Sequence, residues 1–203
     1  MCKRLSLTEI NKEILSKRFS LRAVPDLEPM YNLGPNQLMY IIRNDFPDML
    51  TPAQWGLKLF YDRAFALETT PAEEVMKNPE VSKCFNDKRC LIVVDSFYDW
   101  KDNVAYRITM PDKSLFAIAG IWDNKEYLSF GIITTKANKD IKDINNRMPV
   151  IIPKNLERQW LLGSVDDAHT DLAPYEGKLN VQKVSKDVMD ATNNSIDVTK
   201  TIN

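Results

Sequence analysis

Between Cys90 and Ile152 the sequence divides into short apolar runs of strand length: Cys90–Tyr98, Val104–Met110, Leu115–Trp122, Tyr127–Thr134 and Met148–Ile152. Turn residues at Lys101–Asn103, Pro111–Lys113 and Asp123–Lys125 separate the first four. This alternation predicts an antiparallel meander as the body of the fold, with helices only at its margins. Ser6-Leu7-Thr8-Glu9 has the form of a capping box ahead of Ile10, Ile14, Leu15 and Phe19, which predicts a helix ending near Arg18. Residues 23–37, with Pro25, Pro29, Gly34 and Pro35, read as an irregular connection, and Leu38–Ile42 as a strand. The stretch 43–68 gives no clear assignment. Thr70-Pro71-Ala72-Glu73 reads as a second capping box that starts a short helix limited by Pro79. Pro153–Leu162 is expected to be an amphipathic helix with Leu156, Trp160 and Leu161 on one side, and Val181–Val184 a late strand. With no repeat or linker in sight, the expectation is one domain over 1–203, α+β and mainly antiparallel β.

Composition narrows the function classes. At 44% hydrophobic and 27% charged the chain is globular, and no apolar run approaches the ~18 residues of a membrane span. The N-terminus has charge but no apolar core, so no signal peptide is expected and a cytoplasmic protein is. A net charge of −1, from 27 basic and 28 acidic residues, argues against a general nucleic-acid coat. The first 22 residues are locally basic, with Lys3, Arg4, Lys12, Lys17, Arg18 and Arg22 against Glu9 and Glu13. That segment is either a solvated helix face or a hold for an anionic ligand. Cys2, Cys84 and Cys90 have neither C-x-x-C nor zinc spacing, so neither a metal site nor a structural disulfide is expected. No phosphate-loop glycine motif occurs, which disfavours a nucleotide cofactor.

Three places can carry chemistry. Cys2 would follow a removable Met1, leaving a free α-amine beside a thiol. The thiolate is a strong nucleophile, an amine of pKa ~7.7–8.0 is partly neutral in the cell, and together they trap an aldehyde as a five-membered ring. The plainer alternative is an ordinary residue on a frayed end. Asp95-Ser-Phe-Tyr-Asp99-Trp100 ends an apolar run with two acids, so that end either lines a cleft or carries solvated carboxylates. Trp100 is either core or an exposed ring on which a base stacks. Asn145-Asn146-Arg147-Met148-Pro149 delivers an arginine at the mouth of a strand, suited to a phosphate or an ordinary loop residue. His169 is the only histidine, and among Asp166 and Asp167 it reads as a surface residue.

In order along the chain, Met1-Cys2-Lys3-Arg4, Tyr31-Asn32-Leu33-Gly34-Pro35, Trp55-Gly56-Leu57, Arg89-Cys90-Leu91-Ile92, Phe97-Tyr98-Asp99-Trp100, Ala119-Gly120-Ile121-Trp122, Ile132-Ile133-Thr134-Thr135, Asn146-Arg147-Met148-Pro149 and Val184-Ser185-Lys186 resemble the SRAP family, the SOS-response-associated peptidase domain. The resemblance implies a compact, mainly β fold and a role in DNA damage. In it, a mature N-terminal cysteine captures the ring-opened aldehyde of an abasic site in single-stranded DNA as a thiazolidine crosslink. The resemblance also implies that the same cysteine removes its own initiator methionine. Carried over by position, Cys2 is the nucleophile, Arg4 and Arg147 hold phosphates, and Trp100 and Trp55 fall with the DNA contacts. Asp99 stands where the family has a glutamate, and Asn145 where it has a histidine. The family's N-A-R-A-E stretch has no convincing copy: counting back from Pro79 leaves Thr69 for its asparagine and Pro71 for its arginine.

These departures imply a degenerate member that keeps the nucleophile. An asparagine cannot act as a general acid, and a carboxylate one methylene short is misplaced by ~1 Å, which can cost ~100-fold in rate. The leading reading is a covalent abasic-site sensor, with Cys2 attacking and Asp99 and Asn145 assisting. The alternatives are a non-covalent module for single-stranded DNA or a protein on the same fold, and a cysteine hydrolase acting on peptides. The expected partner is single-stranded DNA with an abasic site. No membrane, metal or nucleotide cofactor is expected, and the resemblance suggests a cytoplasmic, nucleoid-associated monomer.

Overall fold

The computed structural model describes residues 3–59 and 66–202. The first sheet comprises β1 (Arg4–Leu7), β2 (Met30–Leu33), β7 (Ser96–Lys101), β8 (Val104–Thr109) and β13 (Asn180–Val184), in the order β13-β8-β7-β1-β2 and antiparallel throughout. The second is built from β3 (Leu38–Arg43), β4 (Phe46–Trp55), β6 (Arg89–Val94), β9 (Phe116–Asp123) and β10 (Ser129–Lys136). Its pairings run β9 to β10, β4, β3, β6 and back to β9, so the sheet closes into a barrel and leaves those strands no free edge in the ring. Three short strands extend it: β5 (Thr69–Pro71) beside β10, β11 (Arg147–Pro149) beside β10, and β12 (Ile151–Ile152) beside β9. The expected mainly antiparallel α+β fold is the one observed. Among the named strands of the described residues, the parallel pairings are those of β10 with β4 and β5.

Helices α2 (Pro79–Asp87) and α3 (Glu157–Leu162) pack on β6 and β9. Those two strands are buried at every residue, which is why they read as unbroken apolar runs rather than alternating ones. Gly120 of β9 permits the close approach to β10: a side-chain carbon there would fall 2.9 Å from the Gly131 carbonyl oxygen and 2.5 Å from Ile92 Cδ1. The buried Arg89 guanidinium donates to the carbonyls of Phe85 (3.0 Å), Asn86 (3.1 Å), Trp160 (2.6 Å) and Gly163 (2.6 Å), joining the ends of α2 and α3.

Several elements differ from expectation for identifiable reasons. The predicted meander is split over two sheets, because the run Cys90–Tyr98 is two strands that change sheet at Asp95. The buried Asp95 carboxylate accepts from the Ser6 hydroxyl, the Thr8 amide and hydroxyl, and Arg107 (3.4 Å), stitching β1 to the start of β7. Ser6 is therefore a strand residue, not a helix cap. Helix α1 (Lys12–Phe19) is capped by Asn11, whose side chain accepts from the amides of Glu13 (2.9 Å) and Ile14 (3.2 Å). Pro79 starts α2 rather than limiting a helix before it, with Asn78 as the cap. Thr69–Pro71 pairs as a strand, and only a single 3₁₀ turn, Ala72–Glu74, follows.

Candidate functional site

Phe97 and Asp99 share the face of β7 that turns to the barrel, where the Phe97 ring meets Phe116 of β9 edge-on at 6.4 Å. Asp99 is 1% exposed. Burying a carboxylate is costly unless donors surround it, and here Oδ1 accepts from the Asn145 side-chain amide (3.0 Å) and from the Trp100 backbone N–H (2.9 Å). Asn145 is held from its other end as well, since its Oδ1 accepts the Arg147 backbone N–H at 3.1 Å. The turn that carries Asn145 is fixed by Asn138, whose side chain accepts from the amides of Asp140 and Ile141 and donates to the Tyr175 carbonyl. The sequence-predicted pair Asp99 and Asn145 is thus in direct contact across 46 residues of chain.

Arg147 follows two residues on, at the start of β11. Its Nε donates to Thr134 Oγ1 (3.2 Å) and its Nη2 to the Thr134 carbonyl (2.7 Å), which fixes the plane of the guanidinium. The outer edge of the fork meets the Glu73 carboxylate in a two-point contact at 3.0 and 3.3 Å. Hydrogen bonding from Arg147 holds the Glu73 carboxyl below its ordinary range. Glu73 was not named as a site residue from sequence, where it reads as part of a helix cap and, counting back from Pro79, falls under the glutamate of the family's N-A-R-A-E stretch; nothing local links it to an arginine 74 residues away.

Arg4 opens β1 opposite Tyr98, the neighbour of Asp99. Its guanidinium lies over Gly34, where a side-chain carbon would come within 2.7 Å of Nη1. Partial burial lowers the Arg4 pKa, and the charges of Glu68 and Asp190 act against that shift. Tyr98 donates to the Tyr31 carbonyl (2.9 Å), and Asn32 donates to the carbonyls of Asp190 (2.8 Å) and Asn193 (3.0 Å), drawing the C-terminal segment onto this sheet. Trp100 is half-buried against that cluster of Tyr98, Ala105, Val184, Val188 and Val198.

Other expectations fall elsewhere. Cys2 lies outside the described residues, two positions before Arg4. Trp55 is 1% exposed, stacks on Phe130 and donates its ring N–H to the Glu68 carbonyl at 2.9 Å, so it supports the barrel and offers no open face to a DNA base. Asp95 does not join Asp99. It borders a separate cavity of about 630 Å³ with Thr8, Arg107, Thr109 and Gln182. His169 is exposed on helix α4 (Val165–Thr170), as its acidic neighbours suggested. Cys84 and Cys90 are buried, which pushes the Cys84 thiol up to about 11 and the Cys90 thiol well above its ordinary value. Among the described residues there is no metal-ligating cluster, and no helix is long and apolar enough to cross a membrane.

Over residues 1–191 the sequence matches the family described as SOS response associated peptidase (SRAP). Two Bacillus subtilis proteins named as abasic site processing proteins, YoqW and YoaM, are 31% and 30% identical to it over 96% and 98% of this chain, and each is covered over 97% of its own length. In three dimensions the chain is similar to a crystal structure from Bacteroides thetaiotaomicron, with a TM-score of 0.87 at 20% identity over 99% of this chain and all of the other. A second, from Bordetella bronchiseptica, gives 0.78 at 21% identity over 91% of this chain and all of that one.

Proposed function

This chain belongs to the SRAP family, and from that premise we propose that it processes abasic sites in DNA by covalent capture through Cys2 once Met1 is removed. The α-amine condenses with the ring-opened sugar aldehyde and releases one water; the thiolate then adds to the imine carbon, and the imine nitrogen takes a proton. The product is a thiazolidine between Cys2 and the DNA. The observation that carries this reading is the hydrogen bond from Asn145 to Asp99 of β7, the strand with which β1 pairs from Arg4 onward. Register opposite Tyr98 brings the start of the described chain to the strand of Asp99. In this scheme the Asp99 carboxylate takes up and returns the amine proton, while Arg4 and Arg147 hold the flanking phosphates and Trp100 borders the strand.

Asn145 orients Asp99 but transfers no proton, since an amide has no acidic form near neutral pH. Sugar ring opening is therefore left to water, and self-removal of Met1 is slow by the same reasoning. That feature favours one second reading, a module holding single-stranded DNA without a covalent bond. An electrophoretic assay separates the two. Denaturing gels should show a DNA adduct with an abasic single strand for the native protein and none for Cys2→Ala. Binding of both proteins to an unmodified strand should fall steeply and equally with salt, because phosphate contacts release counterions and the thiol contributes none. An adduct that persists in Cys2→Ala overturns the proposal.

A further inference from the structure

We propose that Glu73 holds the place of a DNA phosphate in the free protein, closing a subsite formed by Arg147, Thr134 and Lys136. This rests on the reading that the chain binds single-stranded DNA, and it adds residues and a regulation to that reading. Thr134 pins the guanidinium from behind through its hydroxyl and carbonyl, so the free edge of the fork is aimed before any ligand arrives. Glu73 meets that edge with two oxygens, the geometry in which arginine also takes the two non-bridging oxygens of a phosphodiester. A phosphodiester carries the same single negative charge as the carboxylate it would replace.

The two partners are unequally buried. The Arg147 side chain is 22% exposed and Glu73 46%, so the carboxylate is the outer partner. It sits exposed on the short 3₁₀ turn Ala72–Glu74, where it pairs with Arg147. Lys136 stands opposite Arg147 in the β10–β11 register, is exposed, and contributes to holding the Glu73 carboxyl ionised. Displacement of Glu73 thus leaves two cations facing one phosphate. Binding becomes an exchange of one anion for another, which lowers affinity for any strand not otherwise anchored.

The exchange has a signature in salt dependence. When a phosphate displaces Glu73 it sheds counterions, but the released carboxylate regains some, so part of the effect cancels. With Glu73→Gln the cancellation is lost. The test is fluorescence anisotropy of a labelled, lesion-free single strand titrated with full-length native protein, Glu73→Gln and the neighbouring control Glu74→Gln across a range of KCl. Glu73→Gln should bind about fivefold tighter at low salt, the worth of an exposed ion pair. Its log–log salt slope should be steeper by up to ~0.7, one single-strand phosphate. Glu74→Gln should change affinity less than twofold. Equal effects of the two substitutions, weaker binding by Glu73→Gln, or no binding by either overturns the inference. Adduct formation on an abasic strand, run on the same samples, distinguishes the causes: if it survives, this inference alone has failed, and if it is absent, the DNA-processing reading has failed with it.

Discussion

If Cys2 captures abasic sites as proposed, replacing Asn145 by histidine should speed adduct formation. The Asn145 amide nitrogen sits 3.0 Å from Asp99 Oδ1, within reach of an imidazole N–H placed on the same backbone. A histidine hydrogen-bonded to a carboxylate that is 1% exposed has its pKa raised above the ordinary ~6.5, because the nearby negative charge favours the imidazolium. It would then be a general acid at neutral pH, able to protonate the sugar oxygen that Asn145 can only hydrogen-bond. Positioned acid catalysis contributes ~100- to 10,000-fold, so the adduct should form faster by at least ~100-fold. The cost is the bond from the Arg147 amide to Asn145 Oδ1, about 1 kcal/mol or ~2–4 °C in Tm at this chain length. The assay is the single-turnover rate of adduct formation on an abasic single strand between pH 5 and 9, with Tm measured in parallel. Because the raised pKa keeps the acid form below it and loses that form above it, the gain should be full at low pH and fade as pH rises. A variant with near-native Tm and native rates across the range would refute the assignment of this position to proton transfer.

Three further outcomes follow from the geometry. Arg89→Met keeps the apolar stem but removes four hydrogen bonds to the ends of α2 and α3; calorimetry should show a loss of about 4 kcal/mol, or ~8–16 °C in Tm, with a shift below ~2 °C arguing against the buried guanidinium as the clasp. Gly34→Ala pushes a methyl carbon to within 2.7 Å of Arg4 Nη1, so it should leave Tm nearly unchanged yet weaken single-strand binding and flatten its salt slope by ~0.7; a slope equal to the native one would remove Arg4 from the phosphate contacts. Burial raises the Cys84 thiol to about 11 and the Cys90 thiol well above its ordinary value, so both stay protonated at pH 7.5, and iodoacetamide should label Cys2 alone in the native fold and all three cysteines in denaturant, as peptide mapping would show.

The fold class and most strand positions were legible because strand length, turn residues and apolar runs are local signals. What the sequence hid was which sheet a strand joins. Cys90–Tyr98 is apolar on both sides of Asp95, and nothing local marks a one-residue crossing held by Ser6 and Thr8 from 87–89 residues away. The motif Ser6-Leu7-Thr8-Glu9 satisfied the pattern of a capping box, but the Ser6 hydroxyl turns to Asp95 across the sheet; Ile10 and Ile14, read as the buried stripe, are 40% and 47% exposed. Pro79 misled in the opposite sense, since proline both opens and ends helices and only Asn78 before it decides which. Asp99, Asn145 and Arg147 could be named from sequence because they fall at positions of the family motifs, the first two as departures from the family's glutamate and histidine. The Asp99–Asn145 bond itself, and the hold of Glu73 on Arg147, depend on chain reversals that no window of sequence contains.

Covalent capture by the mature N-terminus changes the mass of the protein in a defined way. Intact-mass spectrometry of the purified protein, alone and after incubation with a single strand bearing one abasic site, tests it most directly. The expected result is a chain without Met1 that gains the mass of the oligonucleotide minus one water, in a heat-stable adduct missing from Cys2→Ala. A chain that retains Met1 and gains no mass, while still binding the strand in a salt-dependent way, would contradict it.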